Sequence, residues 1–129
     1  MQAYAVKVGR VKVAPKRPDG SSWDVLGLPD LYVVIKNRGP DRHTATASSC
    51  VEHEFDESIV GLIEPGDQVF VRVMDHDLNG NDELIGRTSV KVTEADLQRG
   101  YLELTAFGSV EYLKLAFDFA LPQMKRRPH

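Results

Sequence analysis

Apolar residues recur at every second position along most of this chain. Tyr4, Val6 and Val8 alternate with smaller or polar residues, and Val11 and Val13 continue on the opposite parity. A phase change at Gly9-Arg10 predicts a bulge inside a single strand. Leu31 to Ile35 is a short β-branched run with Tyr32 inside it, which predicts a central strand. Val69, Val71 and Val73 alternate with Phe70, Arg72 and Met74. Leu113, Leu115, Phe117 and Phe119 alternate with Lys114, Ala116 and Asp118, the pattern of a strand with one face buried. Weaker strand signals cover His43 to Cys50, His53 to Phe55, Gly86 to Val92 and Tyr101 to Thr105.

Turn signals separate these runs. Pro15 to Gly20 is a loop, Asn37 to Pro40 and Glu64-Pro65-Gly66-Asp67 are tight turns, and Asn79-Gly80-Asn81 is a loop tip. One short helix is expected near residues 94–98. Thr93 is placed as its N-cap, Asp96 completes a capping box, and Gly100 ends it. The segment is too short to be a core helix. Roughly seven or eight short strands in one domain predict an all-β sandwich. The expected core contains Val6, Val33, Val71, Val73, Leu113, Leu115 and Phe117. We place the domain at residues 1–122 and read 123–129 as a basic C-terminal tail around Lys125, Arg126 and Arg127.

Composition narrows the classes. With 129 residues, 42% apolar and 27% charged, the chain suits one globular domain rather than a disordered or fibrous protein. A net charge of −3 argues against a nucleic-acid partner. The longest apolar run, Leu31 to Ile35, is far short of the ~20 residues of a transmembrane segment. No signal-peptide core opens the sequence, so a cytoplasmic location is expected, with peripheral membrane association open to it. Cys50 is the only cysteine, which excludes an intrachain disulfide.

The carboxylates are concentrated at two strand ends. Asp24 and Asp30 precede the strand that starts at Leu31. Asp75, Asp77, Asp82 and Glu83 follow the strand that ends near Met74. Asp75 and Asp77 share parity with Val71 and Val73. Either set alone reads as solvated loop residues, because Asp, Asn and Gly suit turns. Two sets at matching strand ends would repel unless a cation neutralises them. Calcium, which takes six to eight oxygen ligands, is suited to that task.

Asp24-Val25-Leu26-Gly27-Leu28-Pro29-Asp30-Leu31-Tyr32-Val33 resembles the first calcium loop of a C2 domain, D-x-x-G-x-x-D-P-Y-V, with Leu31 in place of proline. Val71-Arg72-Val73-Met74-Asp75-His76-Asp77, followed by Asn81-Asp82-Glu83-Leu84-Ile85-Gly86, resembles the third loop. Glu54-Phe55 resembles the strand between them, without its tryptophan. The resemblance spans Val6 to Phe119. It implies an eight-stranded antiparallel sandwich, calcium (Ca2+) as cofactor, and Asp24, Asp30, Asp75 and Asp77 as metal ligands. The fifth family position falls on Glu83 or on Asp82, and both are retained. Asp75-x-Asp77-x-Asn79-Gly80 also fits half of an EF-hand loop, but its flanks alternate like strands and Gly86 stands where the closing glutamate belongs.

Nothing points to an enzyme. Cys50 and the four histidines show no metal-ligand or nucleophile spacing, and no glycine-rich phosphate loop is present. Trp23, Val25, Leu26 and Leu28, with Leu78 at the third loop, form a candidate membrane or partner surface, since Trp favours bilayer interfaces. Some of them could instead pack beneath the loop that begins at Pro15. The expected function is a calcium-binding module that docks on anionic phospholipid membranes or on a protein partner. The alternative is a structural or adaptor subunit of a larger assembly, with calcium absent or only stabilising.

Overall fold

The computed structural model describes residues 3–24 and 27–120. The elements are β1 (Ala3–Val13), β2 (Leu31–Lys36), β3 (Arg42–His43), β4 (Glu52–Ile63), β5 (Gln68–Asp75), β6 (Glu83–Lys91), α1 (Glu94–Arg99), β7 (Tyr101–Phe107) and β8 (Val110–Ala120). They form two four-stranded sheets, in the orders β4-β1-β8-β7 and β3-β2-β5-β6. Every pairing is antiparallel. This is the sandwich that the alternation predicts.

The expected core residues Val6, Val33, Val71, Val73, Leu113, Leu115 and Phe117 are all buried between the sheets. β1 carries the expected phase change: its register to β8 shifts between Val8 and Val11, and all of Val6, Val8, Val11 and Val13 point inward. In the second sheet Leu31 faces Asp75, Val33 faces Val73 and Ile35 faces Val71 across the β2–β5 ladder. That row of inward positions ends on a carboxylate.

Two strand expectations need correction. Residues 44–50 are not a strand. Thr44 closes β3 by taking the Val33 amide on its hydroxyl at 3.0 Å, and Ser49 adopts a left-handed φ of 49°. Thr44 keeps one backbone bond to the Val33 carbonyl, and Ala47 an isolated bridge to Leu31. Conversely, the strand read at His53 to Phe55 extends over the whole of β4. Its buried residues Phe55, Val60 and Ile63 fall on no single parity, because register shifts against β1 and a positive φ at Asp56 interrupt the pleat.

The helix forms as expected, with Thr93 and Asp96 in a reciprocal capping box and Gly100 left-handed at its end. It is not peripheral, however. Leu97 is buried and joins the core. The two sheets are in tight contact at Gly86 and Gly108. A Cβ on Gly86 would overlap the Phe107 carbonyl oxygen, and one on Gly108 would lie 2.7 Å from the Gly86 Cα. Ser109 donates its amide to the Ile85 carbonyl at the same place, stitching β6 to the β7–β8 turn.

The outer face of the first sheet neutralises itself. Lys7 pairs with Asp56 and Asp118, Arg10 with Glu52, and Lys12 with Glu111. Arg10 also stacks on Tyr112. The N-terminal lysines and arginine are therefore matched by acids on neighbouring strands.

Candidate metal centre

β2 and β5 carry the site, because the start of one and the end of the other are adjacent in the ladder. Asp30 lies one residue before β2 and Asp75 closes β5. Asp75 Oδ1 accepts the Asp30 amide at 2.9 Å, and the His76 amide donates to the Asp30 carbonyl at 2.8 Å. Asp30 Oδ1 in turn accepts the Ser49 amide at 2.7 Å, which ties the segment after β3 to the same corner. Asp77 Oδ1 accepts the Asn79 amide at 2.9 Å and holds the third loop in a tight turn that ends at the left-handed Gly80.

Asp24, Asp30, Asp75, Asp77 and Glu83 line one cleft of about 540 Å³, with Arg17, Trp23, His76 and Leu78 among its walls. Asp75 forms the floor at 5% exposure. Burial pushes its carboxyl up to about 6; the Asp30 amide opposes this, and the charges of Asp24, Asp30 and Glu83 add to it.

The two candidates for the fifth position separate. Asp82 is not part of the cleft lining. It turns toward Tyr32, whose hydroxyl donates to it, toward His76 Nδ1 at 3.2 Å, and toward the Asp77 amide at 2.9 Å. The Asp77 amide, followed by the Tyr32 hydroxyl, pulls the Asp82 carboxyl below its usual range. Burial, together with Asp82, pushes the Tyr32 phenol up to about 12. Glu83 does line the cleft, but both of its oxygens are held by Arg17. Nε donates to Oε2 at 2.8 Å and Nη2 donates to Oε1 at 2.6 Å.

The donor set suits calcium at four positions. Asp30, Asp75 and Asp77 each use Oδ1 for a backbone amide and keep Oδ2 without a hydrogen-bond partner among the described residues. Asp24 faces the same cleft. Such free carboxylate oxygens are the hard ligands that calcium takes. As placed, no three acidic or histidine side chains among the described residues stand close enough to hold a metal ion. The aspartates would have to draw together around one.

The expected apolar surface is partly corrected. Trp23 is buried, at 4% exposure. The loop from Pro15 folds back over it, so that its indole N–H donates to the Ala14 carbonyl at 2.9 Å and Arg17 lies over the ring at 5.7 Å. Burial of the ring with its polar edge satisfied outweighs exposure at the loop tip. Leu28 is 38% exposed and Leu78 is 92% exposed. Val25, Leu26 and the tail 123–129 lie outside the described residues. Among those described, no helix is long and apolar enough to cross a membrane.

Sequence reading missed Arg17, Tyr32 and His76 as members of this corner. Their partners lie 66, 50 and 6 residues away respectively, and only the His76–Asp82 spacing is a local signal.

The family model described as "C2 domain" matches residues 4–106. Among solved structures, the human group IVD cytosolic phospholipase A2, solved with an inhibitor and terbium chloride, aligns with a TM-score of 0.67 at 17% identity over 92% of this chain. The alignment covers only 17% of that phospholipase chain. The first of the C2 domains (domain A) of a plant extended synaptotagmin 1 aligns with a TM-score of 0.67 at 18% identity, over 93% of this chain and 96% of that one. The calcium-bound pair of C2 domains (A and B) of extended synaptotagmin 2 aligns with a TM-score of 0.60 at 13% identity, over 90% of this chain and 45% of that one. No curated protein matches the chain in sequence. With the sandwich and the order of its acidic loops already in view, the family match over most of its length establishes that this chain belongs to the C2 domain family.

Proposed function

We propose that this domain binds calcium through Asp24, Asp30, Asp75 and Asp77 and, once loaded, docks on anionic phospholipid membranes. The observation that carries this reading is Asp75, a buried carboxylate at the floor of a cleft lined by further acids. A divalent cation there would neutralise the cleft and replace repulsion from lipid phosphates with attraction. Leu78 lines the cleft and Leu28 is exposed in the first loop, and both would enter the headgroup region. The module is not catalytic in this reading, takes no nucleic acid, and works in the cytoplasm as a peripheral membrane component.

One observation favours a second reading, in which the sandwich is an adaptor docked on a protein and calcium is dispensable. Arg17 already supplies the cleft with a cation of its own. Two measurements decide between them. Thermal unfolding with calcium and with chelator should show a calcium-dependent rise in Tm through mass action. Sedimentation with phosphatidylserine vesicles should then show calcium-dependent binding. An unchanged Tm at millimolar calcium overturns the metal assignment. A raised Tm without vesicle binding leaves the metal and removes the membrane.

A further inference from the structure

Arg17 is built into the cleft rather than lying against it. Its five N–H donors are all used. Nε and Nη2 take the two oxygens of Glu83, Nη2 also donates to the Trp23 carbonyl at 3.1 Å, and Nη1 donates to the Ser21 hydroxyl at 3.3 Å and to the Ser22 carbonyl. The loop closes around the guanidinium through the Arg17 amide to the Ser21 carbonyl and the Gly20 amide to the Arg17 carbonyl, both at 2.8 Å. The whole segment between Pro15 and Trp23 is thus folded around one positive charge. That charge faces a wall lined by aspartates.

We propose that Arg17 is the affinity-setting residue of the cation site: a tethered counter-cation that withholds Glu83 and competes with calcium for the cleft. This rests on the calcium reading above. A fork-shaped guanidinium satisfies both carboxylate oxygens at once, so Glu83 neither donates to a metal nor adds its charge to the site while Arg17 stays in place. A divalent cation entering the cleft meets four aspartates and one fixed positive charge. The arginine therefore weakens the site and confines it to the aspartates of the β2 and β5 corner. Release of Arg17 frees Glu83 as a further oxygen donor and removes the repulsion in the same movement.

The experiment titrates calcium into the intact chain by calorimetry, and titrates terbium while following emission sensitised through Trp23, which lines the cleft. Arg17→Gln should tighten calcium binding at least about tenfold, the effect of deleting one positive charge within several ångströms of a divalent ion. Arg17→Gln combined with Glu83→Gln should return affinity to within about threefold of wild type, because removing both partners of the ion pair leaves the cleft's net charge as it is in the wild type and Glu83 still without a carboxylate to offer. Arg17→Lys keeps the charge and an ion pair, so the loop stays folded, but it loses the fork. It should bind calcium about threefold more tightly than wild type. Binding by Arg17→Gln where the wild type shows none also supports the proposal. If wild type binds and neither single variant binds more tightly, the arginine is merely structural and the proposal falls while the calcium reading stands. If no variant binds calcium or terbium at millimolar concentration, the calcium reading falls and takes this one with it.

Discussion

The side chain of Asp75 accepts the backbone amide of Asp30 at 2.9 Å, so the acid that floors the cleft also fixes the point where β2 begins. The same carboxyl titrates at about 6, pushed up mainly by burial. The folded state thus holds its proton more tightly than the unfolded chain, where the group titrates near 4. Its contribution to stability is fully present below about pH 4 and is lost as pH rises through 6. A rise of roughly two pH units bounds the loss at about 3 kcal/mol.

Asp75→Asn keeps the acceptor for Asp30 and removes the charge. In chelator at pH 7.5 it should therefore stabilise the fold by about 1–3 kcal/mol, and at pH 4 by much less. It should also abolish most of any calcium-dependent rise in Tm. Paired melting curves at the two pH values check the sign. A variant less stable than wild type at pH 7.5 in chelator would contradict it.

Leu115 is fully buried on β8, between the sheets. Leu115→Ala should cost about 2–5 kcal/mol, the transfer and cavity terms together. Urea unfolding followed by Trp23 fluorescence measures it; a cost under about 1 kcal/mol would mean the sandwich interior can collapse around the loss.

Gly86→Ala tests the tight contact between β6 and the β7–β8 turn. Its Cβ would overlap the Phe107 carbonyl oxygen and meet Val110 Cγ2 at 2.9 Å. Backbone cannot yield as a flexible side chain does, so the expected cost is about 1–3 kcal/mol or more. Differential scanning calorimetry should show the lower Tm, with the cleft's cation affinity less affected than stability.

Leu78 is 92% exposed beside the cleft. Leu78→Asp should leave stability within about 0.5 kcal/mol of wild type, as exposed substitutions do. Calcium-dependent retention on phosphatidylserine vesicles should fall several-fold, since a leucine's transfer to the interface and a repelled charge act together. Unchanged vesicle binding would move the docking surface elsewhere.

Period-two alternation locates β1, β2, β5 and β8 and their core residues, because each has a single wet face or is buried through its length. It fails on β4, where bulges move the buried set from one parity to the other, and on residues 44–50, where Thr44 supplies from its side chain a bond that a ladder would have made. It also undervalues α1, since one buried leucine is enough to make a short helix part of the core. At the site, the four aspartates are legible because they cluster at the ends of strands that alternation finds. Their neighbours are not. Arg17 and Glu83 are 66 residues apart, and nothing in a loop of prolines, serines and glycine announces that it will fold around its arginine. For Trp23 the sequence leaves two placements open, exposure at the loop or packing beneath the segment from Pro15, and the structure has the second, with the indole bonded to the Ala14 carbonyl.

The ladder between β2 and β5 has a consequence for how faithfully the site is made. Leu31, Val33 and Ile35 face Asp75, Val73 and Val71 in one inward row. A slip of one residue would turn Asp75 to the outside, and it would equally expel Val71 and Val73 from the interior. The apolar row therefore proofreads the acidic corner. A chain that slips this register and so misplaces Asp75 also loses its core, which makes that particular error incompatible with a stable fold.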